Sequence, residues 1–214
     1  NHFRHYSILS GTMIRKSIVH ITLFLITGLA LACSSSRHFT HTYYEGHQQY
    51  IDSMLSSYEQ LYKIHPFSLE IKDKGLTRLG LELHTDSIRY IYSFRLDEPY
   101  LIDTLEKYHL DIKQFSQLVR TMQEAGCTWI SKLDYYVNRE PKFLVFMSVR
   151  HKELTGFLRS EKYFTLAVFD RPQLYDKKGR LLDRDDTKSF RRINDEIYRR
   201  INDRVFFALM DKYR

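Results

Sequence analysis

Residues 67–94 read FSLEIKDKGLTRLGLELHTDSIRYIYSF, three short alternating runs separated by turn residues. Phe67 to Lys72 alternates apolar with polar side chains, and Asp73-Lys74-Gly75 supplies a turn. Leu79, Leu81 and Leu83 alternate again. After a second turn at His84 to Ser87, so do Ile88, Tyr90, Tyr92 and Phe94. A period of two places successive side chains on opposite faces of a strand, so each run predicts a strand with one apolar face. The connections are too short for crossovers, which makes the unit an antiparallel meander. Its apolar face needs a covering layer.

Helices on both sides can supply that layer. Upstream, Ile51, Met54, Leu55, Tyr58, Leu61 and Tyr62 share one helical face, predicting a helix over 46–63 that Pro66 prevents from running on. Downstream, Asp97-Glu98-Pro99 opens a second helix, with acids and proline in its first turn. A third begins at Asp111, with Gln114 placed as in a capping box. Its stripe is Phe115, Leu118, Val119, Met122 and Ala125, and Gly126 ends it. Strand character then returns in Cys127 to Val137, in Phe143 to Val149 after a turn at Asn138 to Pro141, and in Tyr163 to Phe169. The last two are apolar on both faces, as covered central strands should be. Pro66, Pro99, Pro141 and Pro172 all fall between predicted elements. The expectation is one α+β domain over 45–214, an antiparallel sheet of two meanders with helices packed on it. No residue-level repeat supports a duplication of the helix-plus-meander unit.

Near the end, Arg191-Arg192-Ile193-Asn194-Asp195 recurs as Arg199-Arg200-Ile201-Asn202-Asp203. Phe190, Ile193, Ile197, Ile201 and Val205 lie at helical spacing, and Asp195–Arg199 and Glu196–Arg200 suit i,i+4 pairing, so a docked C-terminal helix is expected here. The bland reading of its outer face is a solvated, salt-bridged surface. The sharper one is an anion-binding ladder of Arg191, Arg192, Arg199 and Arg200, weakened because an eight-residue repeat drifts about 80° around a helix.

The N-terminal stretch sets the compartment. Residues 13–36, MIRKSIVHITLFLITGLALACSSS, begin with Arg15 and Lys16, continue in an apolar run from Ile18 to Ala32, and reach Cys33 after the small residues Ala30 and Ala32. The run is shorter than the roughly 20 residues of a spanning helix and suits a signal h-region. The segment resembles the lipobox signal of bacterial lipoproteins, with Ala30 where that family usually has leucine. The resemblance covers the first 36 residues. It implies cleavage of 13–32, a diacylglyceryl group on Cys33 and a membrane anchor through that lipid. Ordinary secretory cleavage after Ala32, leaving a free Cys33 thiol, and a retained anchor are the other readings. Residues 1–12 precede the best initiator, Met13, and read as upstream translation or a fragment edge. Residues 33–44 are expected to be a lipidated cysteine and short tether, which keeps the domain near the membrane. Ser34 is not the aspartate that favours inner-membrane retention in enterobacterial lipoproteins, and no acidic export run follows, so by that resemblance the address is a periplasm-facing outer membrane.

The formal charge is +7, and its excess is uneven: residues 171–214 hold 13 bases against 8 acids, whereas 33–170 is nearly neutral. An exported address makes nucleic acid an unsuitable partner, and an envelope protein, an anionic headgroup or an anionic cell-wall polymer a suitable one. With Cys33 lipidated, Cys127 has no disulfide partner and reads as a buried small hydrophobe.

Candidate chemistry is sparse. Glu82, His84 and Asp86 alternate at a strand end and can share one face, as a cation site or as acid and base, although a solvent face opposite Leu79, Leu81 and Leu83 requires polar residues in any case. His38, His41 and His47 carry no metal-ligand spacing. Asp183, Asp185 and Asp186 resemble the start of a calcium loop, but Lys188 and Asn194 stand where it needs glycine and glutamate; an acid here is expected to cap the last helix. No G-x-S-x-G, S-x-x-K, H-E-x-x-H, C-x-x-C or glycine-rich phosphate loop occurs. No cofactor or metal is therefore expected. Two functions stay open: a lipid-anchored, non-catalytic binding or assembly module of the cell envelope, and an envelope hydrolase using dispersed carboxylates and histidines.

Overall fold

The alternating runs of residues 67–94 form β1 (Phe67–Ile71), β2 (Arg78–His84) and β3 (Arg89–Arg95), paired antiparallel in the order expected. This computed structural model describes residues 41–73, 75, 77–85, 87–137, 139–150, 163–184 and 186–210. Residues 1–40, among them the segment read as a signal, Cys33 and His38, lie outside them. From Tyr44 on, the described residues form one compact unit. Before β1 comes α1, helical over 41–64. It starts earlier than expected because Tyr44 extends the apolar stripe: that ring is buried, and its hydroxyl accepts a hydrogen bond from Asn202 Nδ2 at 3.3 Å. Residues 41–44 are thus helix rather than tether.

After β3 the chain crosses through α2 (Pro99–Lys107) and α3 (Ile112–Ala125). The Asp111 side chain caps α3 by accepting from the Gln114 N–H at 2.7 Å. Only that half of the capping box forms, since the Gln114 amide reaches Gln60 instead. Gly126 closes the helix at φ 65°, in the left-handed region that favours glycine. The return brings β4 (Cys127–Val137) beside β1, followed by β5 (Glu140–Arg150) and β6 (Tyr163–Phe169). β5 begins earlier than predicted, so Pro141 sits inside a strand, opposite Tyr136 near the hairpin end.

The C-terminal helix does not form. The segment contributes β7 (Arg192–Ile193), β8 (Glu196–Ile197), β9 (Arg199–Arg200) and β10 (Val205–Met210). The repeated Asn-Asp pairs are turns. Asn194 and Asp195 both adopt positive φ, 51° and 62°, and join β7 to β8. Asn202 Oδ1 accepts from the Arg204 and Val205 N–H groups, 2.9 Å each, at the bend into β10. Each copy of the repeat is a strand end followed by an Asn-Asp turn, which helical spacing of the isoleucines disguised. No helix follows for Asp183 or Asp186 to cap; Asp186 instead closes its own loop onto Ser189, and Asp185 lies outside the described residues.

The main sheet has eight strands in the order β3-β2-β1-β4-β5-β6-β10-β9, every neighbouring pair antiparallel. It is the α+β architecture anticipated, with the two meanders fused through β1 and β4. One cross-strand row, Tyr92, Leu81, Leu69, Ile130, Met147, Leu166 and Phe207, runs along a single face. Its members from Leu81 to Phe207 are buried. The helices cover this face: the Tyr58 ring meets Phe67 edge-on at 5.0 Å and donates its hydroxyl to the Phe67 carbonyl, while Phe67 meets Phe115 at 6.2 Å.

The reverse face is divided. Over β5, β6 and β10 it is apolar, and Leu181, Ile193 and Tyr198 from the C-terminal segment cover Leu144, Phe146, Ala167, Phe169, Phe206 and Ala208. Over β1 and β2 it is polar and mostly buried to half-buried, and it becomes exposed at β3, where Ile91 interrupts the polar residues. Under a helix, Ile197 would belong to the core stripe; here Tyr198 is fully buried and Ile197 only half so. Tyr198→Ala should therefore cost about 3–5 kcal/mol of stability and Ile197→Ala less than about 1 kcal/mol, measured by denaturant unfolding. Equal losses would contradict the strand arrangement.

Candidate functional site

The polar half of the reverse face carries the sequence-predicted pair. Alternation in β2 turns Leu79, Leu81 and Leu83 toward the helices, and so Glu82 and His84 the other way. Glu82 Oε1 lies 3.5 Å from His84 Nε2 and 3.2 Å from Arg89 Nη1. Ser68, directly across from Glu82 on β1, places its Oγ 3.3 Å from the same His84 Nε2 and 2.9 Å from Ser131 Oγ on β4. Asp86, the third predicted member, lies outside the described residues.

This cluster holds a side chain in place better than it activates one. Both Glu82 and Ser68 approach one ring nitrogen of His84. A base that activates a hydroxyl needs its two nitrogens divided, one oriented by a carboxylate and one facing the nucleophile. Partial burial holds the His84 imidazole below its ordinary value; Arg89 acts the same way, and Glu82 opposes both. His65, just before β1, is lowered as well, first by burial and then by His84. Its Nε2 is buried without a hydrogen-bond partner, and its ring stacks on Tyr108 at 5.0 Å.

Beside the cluster, Ser68, Glu70, Lys72, Gly80, Glu82 and Trp129 border a shallow depression of about 30 Å³, the scale of a bound water rather than of an organic ligand. Gly80 makes its floor: a Cβ there would stand 2.5 Å from Lys72 Cε, so glycine lets that side chain lie across β2. Trp129 is the step between the two halves of the reverse face, stacked on Phe146 at 6.2 Å.

The four arginines do not form a ladder, because the helix that would have aligned them is absent. Arg191 lies over the Phe169 ring and donates to Gln173 Oε1 at 3.3 Å. Arg192 is exposed and donates to the Asp195 carbonyl. Arg199 is exposed at the β9 edge, and Arg200 pairs with Asp203 at 2.6 Å while stacking over Tyr175. The expected pairs Asp195–Arg199 and Glu196–Arg200 are replaced by that Arg200–Asp203 contact. His41 and His47 sit on α1. Among the described residues no group of three or more His, Cys, Asp or Glu is arranged to hold a metal ion. Cys127 is buried, donates to the Trp129 carbonyl at 3.3 Å, and has its thiol pushed up to about 12 by burial, which leaves it unreactive at neutral pH.

Ser68, Ser131 and Trp129 were not singled out by sequence reasoning. The alternation of FSLEIK puts Ser68 and Glu70 on the polar face, but nothing local says that β4 lies beside β1. No protein-family model, no curated protein and no solved structure matches this chain. Among the described residues no helix is long and apolar enough to cross a membrane.

The lowered histidines link stability to pH. Because the folded state holds both imidazoles below their ordinary value of about 6.5, the unfolded chain binds more protons as the pH falls through that region. Stability should be complete above about pH 7 and decline towards about pH 5. Thermal unfolding across that window should show a falling midpoint, flattened in a His65→Phe, His84→Gln double variant. A wild-type midpoint that holds constant would refute the linkage.

Proposed function

We propose that this chain is a lipid-anchored, non-catalytic binding or assembly module of the cell envelope, held through Cys33 to a periplasm-facing outer membrane. The observation that carries the non-catalytic reading is the candidate site itself: a half-buried polar sheet face with a water-sized depression, whose histidine turns a single nitrogen to both glutamate and serine. So small a depression does not enclose a reacting organic group. The basic n-region, the apolar run and the small residues before Cys33 support the address. The partner class is an envelope protein or an anionic cell-wall polymer, the latter favoured by the basic excess of residues 171–214.

The hydrolase reading keeps one observation in its favour, the contact line Glu82–His84–Ser68. Were it right, Ser68→Ala and His84→Ala would each abolish an activity against envelope substrates.

Mass spectrometry of the mature N-terminus should find a diacylated Cys33; an unmodified cysteine there would remove the anchor. For the binding role, immobilised chain should retain an envelope protein or wall polymer. Charge reversal by Glu70→Lys with Glu82→Lys should weaken retention of an envelope protein docked on that face by about tenfold or more, equivalent to about 1.4 kcal/mol, and should not weaken retention of an anionic polymer. Retention unaffected by that pair, yet lost with Arg192→Glu and Arg199→Glu, would move the contact to the C-terminal lobe.

A further inference from the structure

Ile88, Tyr90, Ile91, Tyr100 and Ile102 are five of the eleven large apolar side chains exposed among the described residues, and they fall in one short stretch of chain. That stretch is β3, the outermost strand of the sheet, with the start of α2. A long sheet edge is ordinarily blunted by proline, a bulge or an inward charge. β3 contains no proline and pairs with β2 in unbroken register.

The hydrogen bonds flanking β3 show which of its peptide groups face out. Thr85 N–H donates to the Ile88 carbonyl at 3.0 Å, and Leu96 N–H donates to the Thr77 carbonyl at 2.9 Å. The even-numbered residues between therefore turn their peptide groups toward β2, and Arg89, Ile91, Ser93 and Arg95 turn theirs outward. Arg95 is already closed off by Glu98, whose carboxylate accepts its N–H at 3.0 Å and whose own N–H donates to its carbonyl at 3.1 Å. What remains is an outward ladder of Arg89, Ile91 and Ser93, centred on Ile91.

That centre makes the edge self-complementary. An antiparallel second copy related by a twofold axis at Ile91 places Ile91 opposite its own equivalent, Arg89 opposite Ser93, and Tyr90 opposite Tyr92. Ile91 is 69 % exposed, so its pairing buries the most exposed large apolar side chain described. No like charges face each other in this register. Arg89 is already tied to Glu82, and Arg95, beyond the ladder, to Asp97. We propose that two copies of this chain join edge to edge through β3, in the register centred on Ile91, to make one continuous sheet.

Sedimentation velocity of the purified whole chain in mild detergent, over a concentration series, tests this. Ile91→Pro removes only an outward N–H, which an edge strand tolerates; Ile91→Lys sets two cations opposite each other. The wild type should dimerise, and both variants should raise the dissociation constant by about tenfold or more, with circular dichroism unchanged. Should Ile91→Pro fail to fold, Ile91→Lys decides alone. A wild type that stays monomeric at every concentration, or a dimer indifferent to these substitutions, would overturn the proposal. Neither outcome depends on the lipid or on the envelope partner.

Discussion

Everything in this structure hangs on one pairing, β1 against β4. Each meander by itself is a small sheet, too little to bury a stable core. Setting Leu69 opposite Ile130 joins them, and the row from Leu81 to Phe207 becomes a continuous apolar surface under the helices. The crossover through α2 and α3 returns the chain to that place, and its amphipathic helices roof the sheet they have just closed. α3 is held at both ends, by Asp111 and by Gly126, so the length of the crossover is well defined.

The same pairing divides the reverse face. Glu70 stands opposite Trp129, and from that point outward one half of the sheet is polar while the other is apolar. The apolar half cannot face water at the density of Leu144, Phe146, Phe169 and Phe206, so the C-terminal segment folds over it with Tyr198 and Ile193. The polar half needs no cover. It keeps Ser68, Glu82 and His84 buried or half-buried, where neighbouring side chains satisfy one another.

Legibility followed the range of the interactions. Alternation in residues 67–94 and the stripe of α3 are local signals, and both translated directly into elements. Glu82 and His84 were visible as a same-face pair for the same reason. Ser68 and Ser131 were not, because their proximity is created by strands 63 residues apart in the chain. The C-terminal repeat misled in an instructive way. Isoleucines at spacings of four fit a helix, yet Asn194-Asp195 takes a left-handed turn, Asn202 caps a bend with its side chain, and the bare apolar sheet behind them rewards extended chain. Tertiary demand outweighed local periodicity.

By itself, then, the sequence determined the α+β class, the strands and helices between residues 46 and 169, and the signal-like character of its first 36 residues. Each depends on side chains close together along the chain. The tertiary structure decided what distant parts do together: the joining of two meanders into one sheet, the folding of residues 192–210 as strands, the dispersal of Arg191, Arg192, Arg199 and Arg200, and the meeting of Ser68, Ser131 and His84 on the polar face. These arise because apolar surface has to be covered by whatever chain remains, a demand that exists only once the sheet has formed.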